Sequence, residues 1–181
     1  MSNIVIQDNF LPVHEFESLR NDILQYDFPW YKSPIVDVNN DQDWQLSHAV
    51  YFENAFQSVL NVNPLLKKMS AFSLVRIKIN MIKREQQIIE HEFHIDIAYA
   101  PDDMLTSILY LNTNNGYTKF KSGEKVESVA NRLVTFPSMM MHTGTTNTCN
   151  SPYRMCMNIN WFKNVPENDI KPEKEFSLLE K

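Results

Sequence analysis

Between Val13 and Tyr26 the apolar residues Val13, Phe16, Leu19, Ile23 and Leu24 recur at helical spacing, with polar and charged residues between them. The pattern predicts an amphipathic helix that lays one stripe on the rest of the protein. A short strand is expected before it, over residues 4–6, and a turn at Asn9-Phe10-Leu11-Pro12 leads into the helix. A second helical region is expected over residues 50–60. At Asn63-Pro64 an N-capping side chain followed by proline in the first turn opens a short helix through Met69. The intervening segment 27–48, with its mostly polar run 37–43, reads as a long loop. It either covers a site or is a surface excursion anchored by Trp30 or Trp44.

Beyond residue 70 the period changes to two. Val75, Ile77, Ile79 and Met81 alternate with Arg76, Lys78 and Asn80, which predicts a strand with one apolar and one polar face. The polar face suits a pocket or water equally well. Further strands are expected over 106–111, 117–120, 126–129, 132–136 and 154–162. Turn chemistry separates them at Asn112-Thr113-Asn114-Asn115-Gly116 and Ser122-Gly123, and Ala130-Asn131 reads as a hairpin tip. Helices first and closely spaced strands after them predict a mainly β fold, a sandwich or barrel with flanking helices packed outside. The organisation expected is one domain over 1–181, with a helical part about 10–70, a β core about 71–162 and a charged tail 164–181.

Composition adds exclusions. A chain of 181 residues, 43% hydrophobic and 22% charged, can bury a sizeable core. The net charge of −5 and the lack of a clustered basic face argue against a reader of nucleic acid. The N-terminus lacks a signal-peptide pattern, and no apolar run is long enough for a membrane span. Two cysteines, Cys149 and Cys156, make no disulfide framework. A soluble, reduced, cytoplasmic protein is expected, without a nucleic-acid or membrane partner.

The first chemistry lies at His94-Ile95-Asp96. Residues two apart on a strand point to one face, so an imidazole and a carboxylate can take adjacent positions on a metal. A third ligand must come from elsewhere, and His142 is the best candidate. Two histidines and one carboxylate on one face are the donor set of non-haem iron(II) oxygenases, with the opposite face open. His91 competes weakly for the first position, since Phe93 stands where it would need an acid. Glu92 is the alternative carboxylate, and His14 and His48 read as structural or exposed.

Arg154 follows His142 by twelve residues, with Gly144, Asn147, Asn150 and Pro152 between them supplying a turn. It is expected to begin a strand antiparallel to the one ending near His142. A guanidinium grips a carboxylate through paired hydrogen bonds, which suits the far end of a dicarboxylate chelating the metal. On a regular strand Cys156, Asn158 and Asn160 share its face, while Met155, Met157, Ile159 and Trp161 face the other way. Asn158 and Asn160 fit a polar pocket or a solvated edge. Lys78 and Asn80, on the polar face of the earlier strand, are candidates for the same pocket.

The order of these motifs resembles the 2-oxoglutarate/iron(II) dioxygenase superfamily, most closely its prolyl-4-hydroxylase-like branch, phage-type members included. The resemblance runs over about residues 70–162. It rests on His94-Ile95-Asp96, the strand Ser107-Ile108-Leu109-Tyr110-Leu111-Asn112, Asn115-Gly116-Tyr117-Thr118-Lys119-Phe120, Asn131-Arg132-Leu133-Val134-Thr135-Phe136, His142 and Arg154. It implies a double-stranded β-helix (jelly roll), with Fe(II) held by His94, Asp96 and His142 and with 2-oxoglutarate and O2 as cosubstrates. The resemblance also brings ascorbate as an auxiliary cofactor into the expectation. Arg154 would bind the distal carboxylate of 2-oxoglutarate, Tyr110 would donate its hydroxyl to the same carboxylate, and Asn158 and Asn80 would line the cofactor pocket. Where many relatives carry Gly-Gly-Glu-Thr, this chain has Asn115-Gly116-Tyr117-Thr118, so a collagen-type substrate does not follow. The expected reaction is hydroxylation of a peptide or protein side chain such as proline. The alternatives are a free amino acid or small metabolite, or a non-catalytic jelly-roll metal-binding module. A nucleic-acid demethylase fits less well, because the strand from Arg154 to Asn160 lacks a second arginine.

Overall fold

Alternation decides the architecture. On the last strand Met155, Met157 and Ile159 are fully buried on one face and Arg154, Cys156, Asn158 and Asn160 point to the other, so the strand has a core on one side and a cavity on the other. The computed structural model describes residues 3–35 and 44–163. Within them the chain runs β1 (Val5–Gln7), α1 (Val13–Ile23), β2 (Tyr31–Pro34), β3 (Trp44–Phe52), β4 (Ala55–Phe56), α2 (Asn63–Met69), β5 (Ala71–Lys83), β6 (Met104–Tyr110), β7 (Tyr117–Phe120), β8 (Lys125–Glu127), β9 (Leu133–Pro137), β10 (His142–Gly144) and β11 (Tyr153–Lys163).

The larger sheet has the order β1-β9-β6-β11-β5-β3-β2, with β4 paired to β3, and the smaller has β10-β7-β8. All pairings are antiparallel. Two isolated bridges, Glu90 to Thr145 and His94 to His142, lay the segment 90–94 along β10 as an irregular extra edge of the smaller sheet. The two facing sheets form the jelly roll. Between them pack Ile108, Tyr110, Phe120, Val134 and Phe136. On the outer face of the larger sheet, Phe16, Leu19 and Ile23 of α1 and Leu65 and Met69 of α2 pack in one core with Ile77, Ile79, Met155, Met157 and Ile159. Each such aliphatic side chain contributes about 1.5–3 kcal/mol on burial, which holds the helices outside and leaves the inner face of the sheet for the cavity.

The predicted helix over 13–26 is α1, but only part of its stripe packs: Val13 is 71% exposed and Leu24 44%. The helix expected over 50–60 is not formed. Val50, Tyr51 and Phe52 are β-branched or aromatic and complete β3 instead. Glu53 and Asn54 then make a two-residue hairpin turn, both with positive φ (50° and 59°), into β4. The segment read as one long loop contains β2 and the start of β3; the polar run 37–43 and the tail 164–181 lie outside the described residues. Ala130-Asn131 is not a hairpin tip, since β8 pairs with β7 and β9 with β6 and β1. Asn131 (φ 62°) instead ties down the N-terminal segment: its Oδ1 accepts from Leu11 N and its Nδ2 donates to Leu11 O, both at 2.8 Å. Nor does β11 pair with the His142 strand. β10 belongs to the smaller sheet, and β11 sits in the larger between β5 and β6. No helix among the described residues is long and apolar enough to cross a membrane.

Candidate metal centre and adjoining cavity

His94 and His142 are locked together by their backbones before their side chains meet. Each donates its N–H to the other's carbonyl, at 2.9 and 3.0 Å, which places the ring centroids 5.0 Å apart. His94 therefore belongs to a single bridge rather than to the regular strand expected for His94-Ile95-Asp96. Each imidazole has a carbonyl facing Nδ1: Glu92 O at 3.1 Å for His94 and Met140 O at 3.0 Å for His142. A carbonyl can only accept, so the proton sits on Nδ1 and the Nε2 lone pairs face inward. This is the arrangement that orients metal-ligating histidines. Phe136 packs edge-on against His142 at 4.8 Å and fixes the ring further.

One ligand atom each from His94, Asp96 and His142 lies within 4.8 Å of the others. His142 Nε2 is buried with no protein partner among the described residues. Two imidazole nitrogens and one carboxylate oxygen, with a buried nitrogen lacking a partner, fit a divalent first-row metal bound through one face. Burial on its own would raise the Asp96 pKa. The Arg76 guanidinium, the two imidazoles and a hydrogen bond from Asn160 outweigh it and hold the carboxyl below its usual range. Burial also keeps His142 below the ordinary histidine range against the pull of Asp96. A charged carboxylate and neutral imidazoles are the forms that ligate.

Arg76 and Asn160 complete the Asp96 environment. Arg76 Nη2 is 3.0 Å from Asp96 Oδ1, Arg76 Nε donates to Asn160 Oδ1 at 3.1 Å, and Asn160 Nδ2 donates to Asp96 Oδ2 at 3.3 Å. Asn160 Nδ2 also donates to Thr106 Oγ1 at 2.9 Å. The β5–β11 register sets Arg76 opposite Asn160, so the pair forms a bracket on the carboxylate.

A cavity of about 180 Å³ runs from this centre between the sheets to Arg154. Arg154 is 2% exposed; its Nε donates to Ser128 Oγ at 2.8 Å and its Nη2 to Thr118 Oγ1 at 3.1 Å. Nη1 lies on the Gly144 side, where an added Cβ would come within 3.3 Å of it. Gly116 makes room for the arginine stem: a Cβ there would stand 2.7 Å from Arg154 Cδ and 2.7 Å from Thr146 O. Tyr110 stands behind this group. Its hydroxyl donates to Thr118 Oγ1 at 2.7 Å, and burial pushes its pKa to about 12. Thr118 and Arg154 line the cavity, whereas Tyr110, expected at the carboxylate, is not among the lining residues and bonds to Thr118 instead. Thr118 Oγ1 thus stands between the Tyr110 hydroxyl and the Arg154 guanidinium, and the Tyr110 hydroxyl also lies 3.3 Å from Val126 O.

Asn80 and Asn158 also line the cavity. Among the described residues Asn80 Oδ1 is buried without a hydrogen-bond partner, and Asn158 Oδ1 faces Cys156 Sγ at 3.5 Å. Of the alternative ligands, His91 lines the cavity but stands outside the group of three, as does Glu92. His48 packs on Phe28 at 4.4 Å with Nδ1 2.9 Å from Pro29 O, and His14 is exposed on α1. The sequence reading missed Arg76, Thr118 and Ser128 as parts of the site. Arg76 shares the polar face of β5 with Lys78 and Asn80, a signal that was present without its partner.

No protein-family model matches the chain, and no curated protein matches it. Solved structures do. A prolyl-4-hydroxylase from Pseudomonas putida superposes with a TM-score of 0.64 at 16% identity, over 91% of this chain and 94% of that one. An oxidoreductase of the 2OG-Fe(II) oxygenase family from Burkholderia pseudomallei gives 0.63 at 14%, over 90% and 86%. A prolyl hydroxylase from Trichoplax adhaerens, in complex with a hypoxia-inducible-factor peptide fragment, gives 0.60 at 11%, over 90% and 84%. The likeness establishes the jelly-roll fold these oxygenases share.

Proposed function

We propose that this chain is an Fe(II)- and 2-oxoglutarate-dependent oxygenase that hydroxylates a peptide or protein side chain, such as that of proline. One observation carries the reading. The His94, Asp96 and His142 ligand atoms gather within 4.8 Å, and the same cavity ends at the buried Arg154. A metal chelator with a distal carboxylate fits such a cavity, and the jelly-roll structures it superposes on include 2OG-Fe(II) oxygenases.

His94, Asp96 and His142 would hold the iron through Nε2, a carboxylate oxygen and Nε2. The chemistry supplied there, with iron bound, is O2-dependent decarboxylation of 2-oxoglutarate coupled to substrate hydroxylation. The residues of the chain supply the rest. Arg154 Nη1 and the Thr118 hydroxyl receive the distal carboxylate, while Ser128 and Thr118 hold the guanidinium in place. Met140 O and Glu92 O keep the imidazole protons on Nδ1. Ile82, Ile95 and Ile108 line the cavity with apolar surface and limit water at the reacting end.

The peptide reading draws support from prolyl hydroxylases among the matched structures, one of them with a peptide bound. Succinate release from 2-oxoglutarate by the Fe(II)-loaded chain tests the reaction. Stimulation by proline-containing peptides tests the substrate. Turnover is expected in wild type and absent in His94→Ala and Asp96→Ala; a folded, iron-loaded wild type that never consumes 2-oxoglutarate contradicts the reading.

A further inference from the structure

The inner face of β5 presents Arg76, Lys78, Asn80 and Ile82 in succession to the cavity. The register sets them opposite Asn160, Asn158, Cys156 and Arg154 of β11. Two of the three cations on this surface are committed. Arg76 is bound to Asp96 and Asn160. Arg154 is held by Ser128 and Thr118 at the other end, opposite Ile82, about 13 Å along the strand from Lys78 at the usual rise per residue. Lys78 has no such commitment: it is half-buried and lines the cavity, and among the described residues its ammonium has no hydrogen-bond or ion-pair partner. Burial and the neighbouring Arg76 guanidinium lower its pKa, with Asp96 and Cys156 opposing. Beside it, the Asn158 Nδ2 amide has no partner among the described residues, since Asn158 is engaged only through Oδ1.

We propose that Lys78 and Asn158 form a receiving site for a carboxylate of the substrate, so that the enzyme acts on an acid. The inference rests on the oxygenase reading and names the substrate class of that site. A carboxylate accepts only, and Lys78 Nζ and Asn158 Nδ2 donate only. Its arrival offsets both the desolvation of the ammonium and its repulsion by Arg76. The position beside Arg76 puts the bound acid next to the metal ligands, where a reacting carbon must lie, and away from the Arg154 end assigned to the cosubstrate. The carboxylate has two sources, the α-carboxylate of a free amino acid or an acidic side chain of a peptide. Both present the same chemistry to Lys78.

Matched probes test this with the Fe(II)-loaded full chain and saturating 2-oxoglutarate. Succinate release is followed with L-proline against L-prolinamide, and with acetyl-Ala-Pro-Glu-Ala-amide against its Gln twin. The acid of at least one pair is expected to show a kcat/KM about ten- to hundredfold above its neutral twin, the range of a charge-assisted hydrogen bond. Preference within the first pair identifies a free α-carboxylate, and within the second an acidic side chain. The preference should vanish in Lys78→Met and persist in Lys78→Arg, with the 2-oxoglutarate affinity of both within twofold of wild type. Equal response to acid and neutral twins in wild type, including no response to either, overturns the proposal. A tenfold loss of 2-oxoglutarate affinity in Lys78→Met also overturns it, because the ammonium then serves the cosubstrate. Failure of the oxygenase reading looks different: the wild type itself would neither bind nor consume 2-oxoglutarate.

Discussion

Arg76 Nη2 lies 3.0 Å from Asp96 Oδ1, and Asn160 ties the other carboxylate oxygen to the same guanidinium. The proposed iron-binding carboxylate is thus oriented by a cation from β5, the strand that precedes it in the chain. Partners one step behind a ligand typically govern ten- to hundredfold in metal affinity. Arg76→Met is expected to weaken Mn(II) binding by about that much in anaerobic calorimetry, and Arg76→Lys to recover part of it. Met and wild-type affinities that agree would mean that the bracket does not act on the metal.

Arg154 and Tyr110 should separate in their effects. Arg154→Ala removes the group proposed to meet the distal carboxylate and should raise the apparent Kd for 2-oxoglutarate about tenfold or more. Tyr110→Phe removes the hydroxyl that bonds Thr118 Oγ1 and the Val126 carbonyl and should change that Kd a few-fold, with a stability loss of about 1 kcal/mol. Equal losses of affinity in the two variants would place the Tyr110 hydroxyl on the cosubstrate itself.

Two glycines should respond differently to alanine. At Gly116 the new Cβ would meet Arg154 Cδ and the Thr146 carbonyl at 2.7 Å, so Gly116→Ala should cost about 1–3 kcal/mol and weaken 2-oxoglutarate binding as the arginine shifts. At Gly123 nothing lies within 4 Å, but φ is +108°, so Gly123→Ala should cost about 1 kcal/mol of backbone strain and leave the cosubstrate site alone. Chemical denaturation and a binding titration on both variants check this. Normal 2-oxoglutarate affinity in Gly116→Ala would show that the arginine has more room than the structure gives it.

Glu90, which bridges to Thr145 just after β10, accepts hydrogen bonds from Lys119 and Tyr117, and these hold its pKa below the ordinary 4.5. A lowered folded pKa gives stability that is present above pH 4.5 and is lost as pH falls through the folded value. A third of the side chain is exposed, so the gain is small. Comparing wild type with Glu90→Gln between pH 6 and 3 should show the wild-type advantage shrinking toward acid. An advantage that grows as the pH falls would reverse the sign.

Residue patterns carried part of this structure and left part hidden. The alternation in β5 and β11 is local, so their faces, and with them Asn80, Asn158 and Arg154 on one surface, could be read directly. That His94 and Asp96 cluster with a second histidine was legible because no other histidine has a carboxylate two residues away. Val50 to Phe52 misled because a short apolar run suits helix and strand alike until its turn is recognised. Sheet membership was not legible at all: β10 and β11 are neighbours in sequence but lie in opposite sheets, and only long-range pairing decides that. For the same reason the Arg76–Asp96 pair and the placement of Thr118 between Tyr110 and Arg154 stayed hidden. Each joins elements that meet only when the two sheets close.

An anaerobic titration of Fe(II) into the protein with saturating 2-oxoglutarate tests the central claim most directly. A weak visible charge-transfer band is predicted, saturating at one iron per chain in wild type and missing in Asp96→Ala and His142→Ala. A folded wild type that develops no band and retains no iron would show that these three side chains do not share an ion.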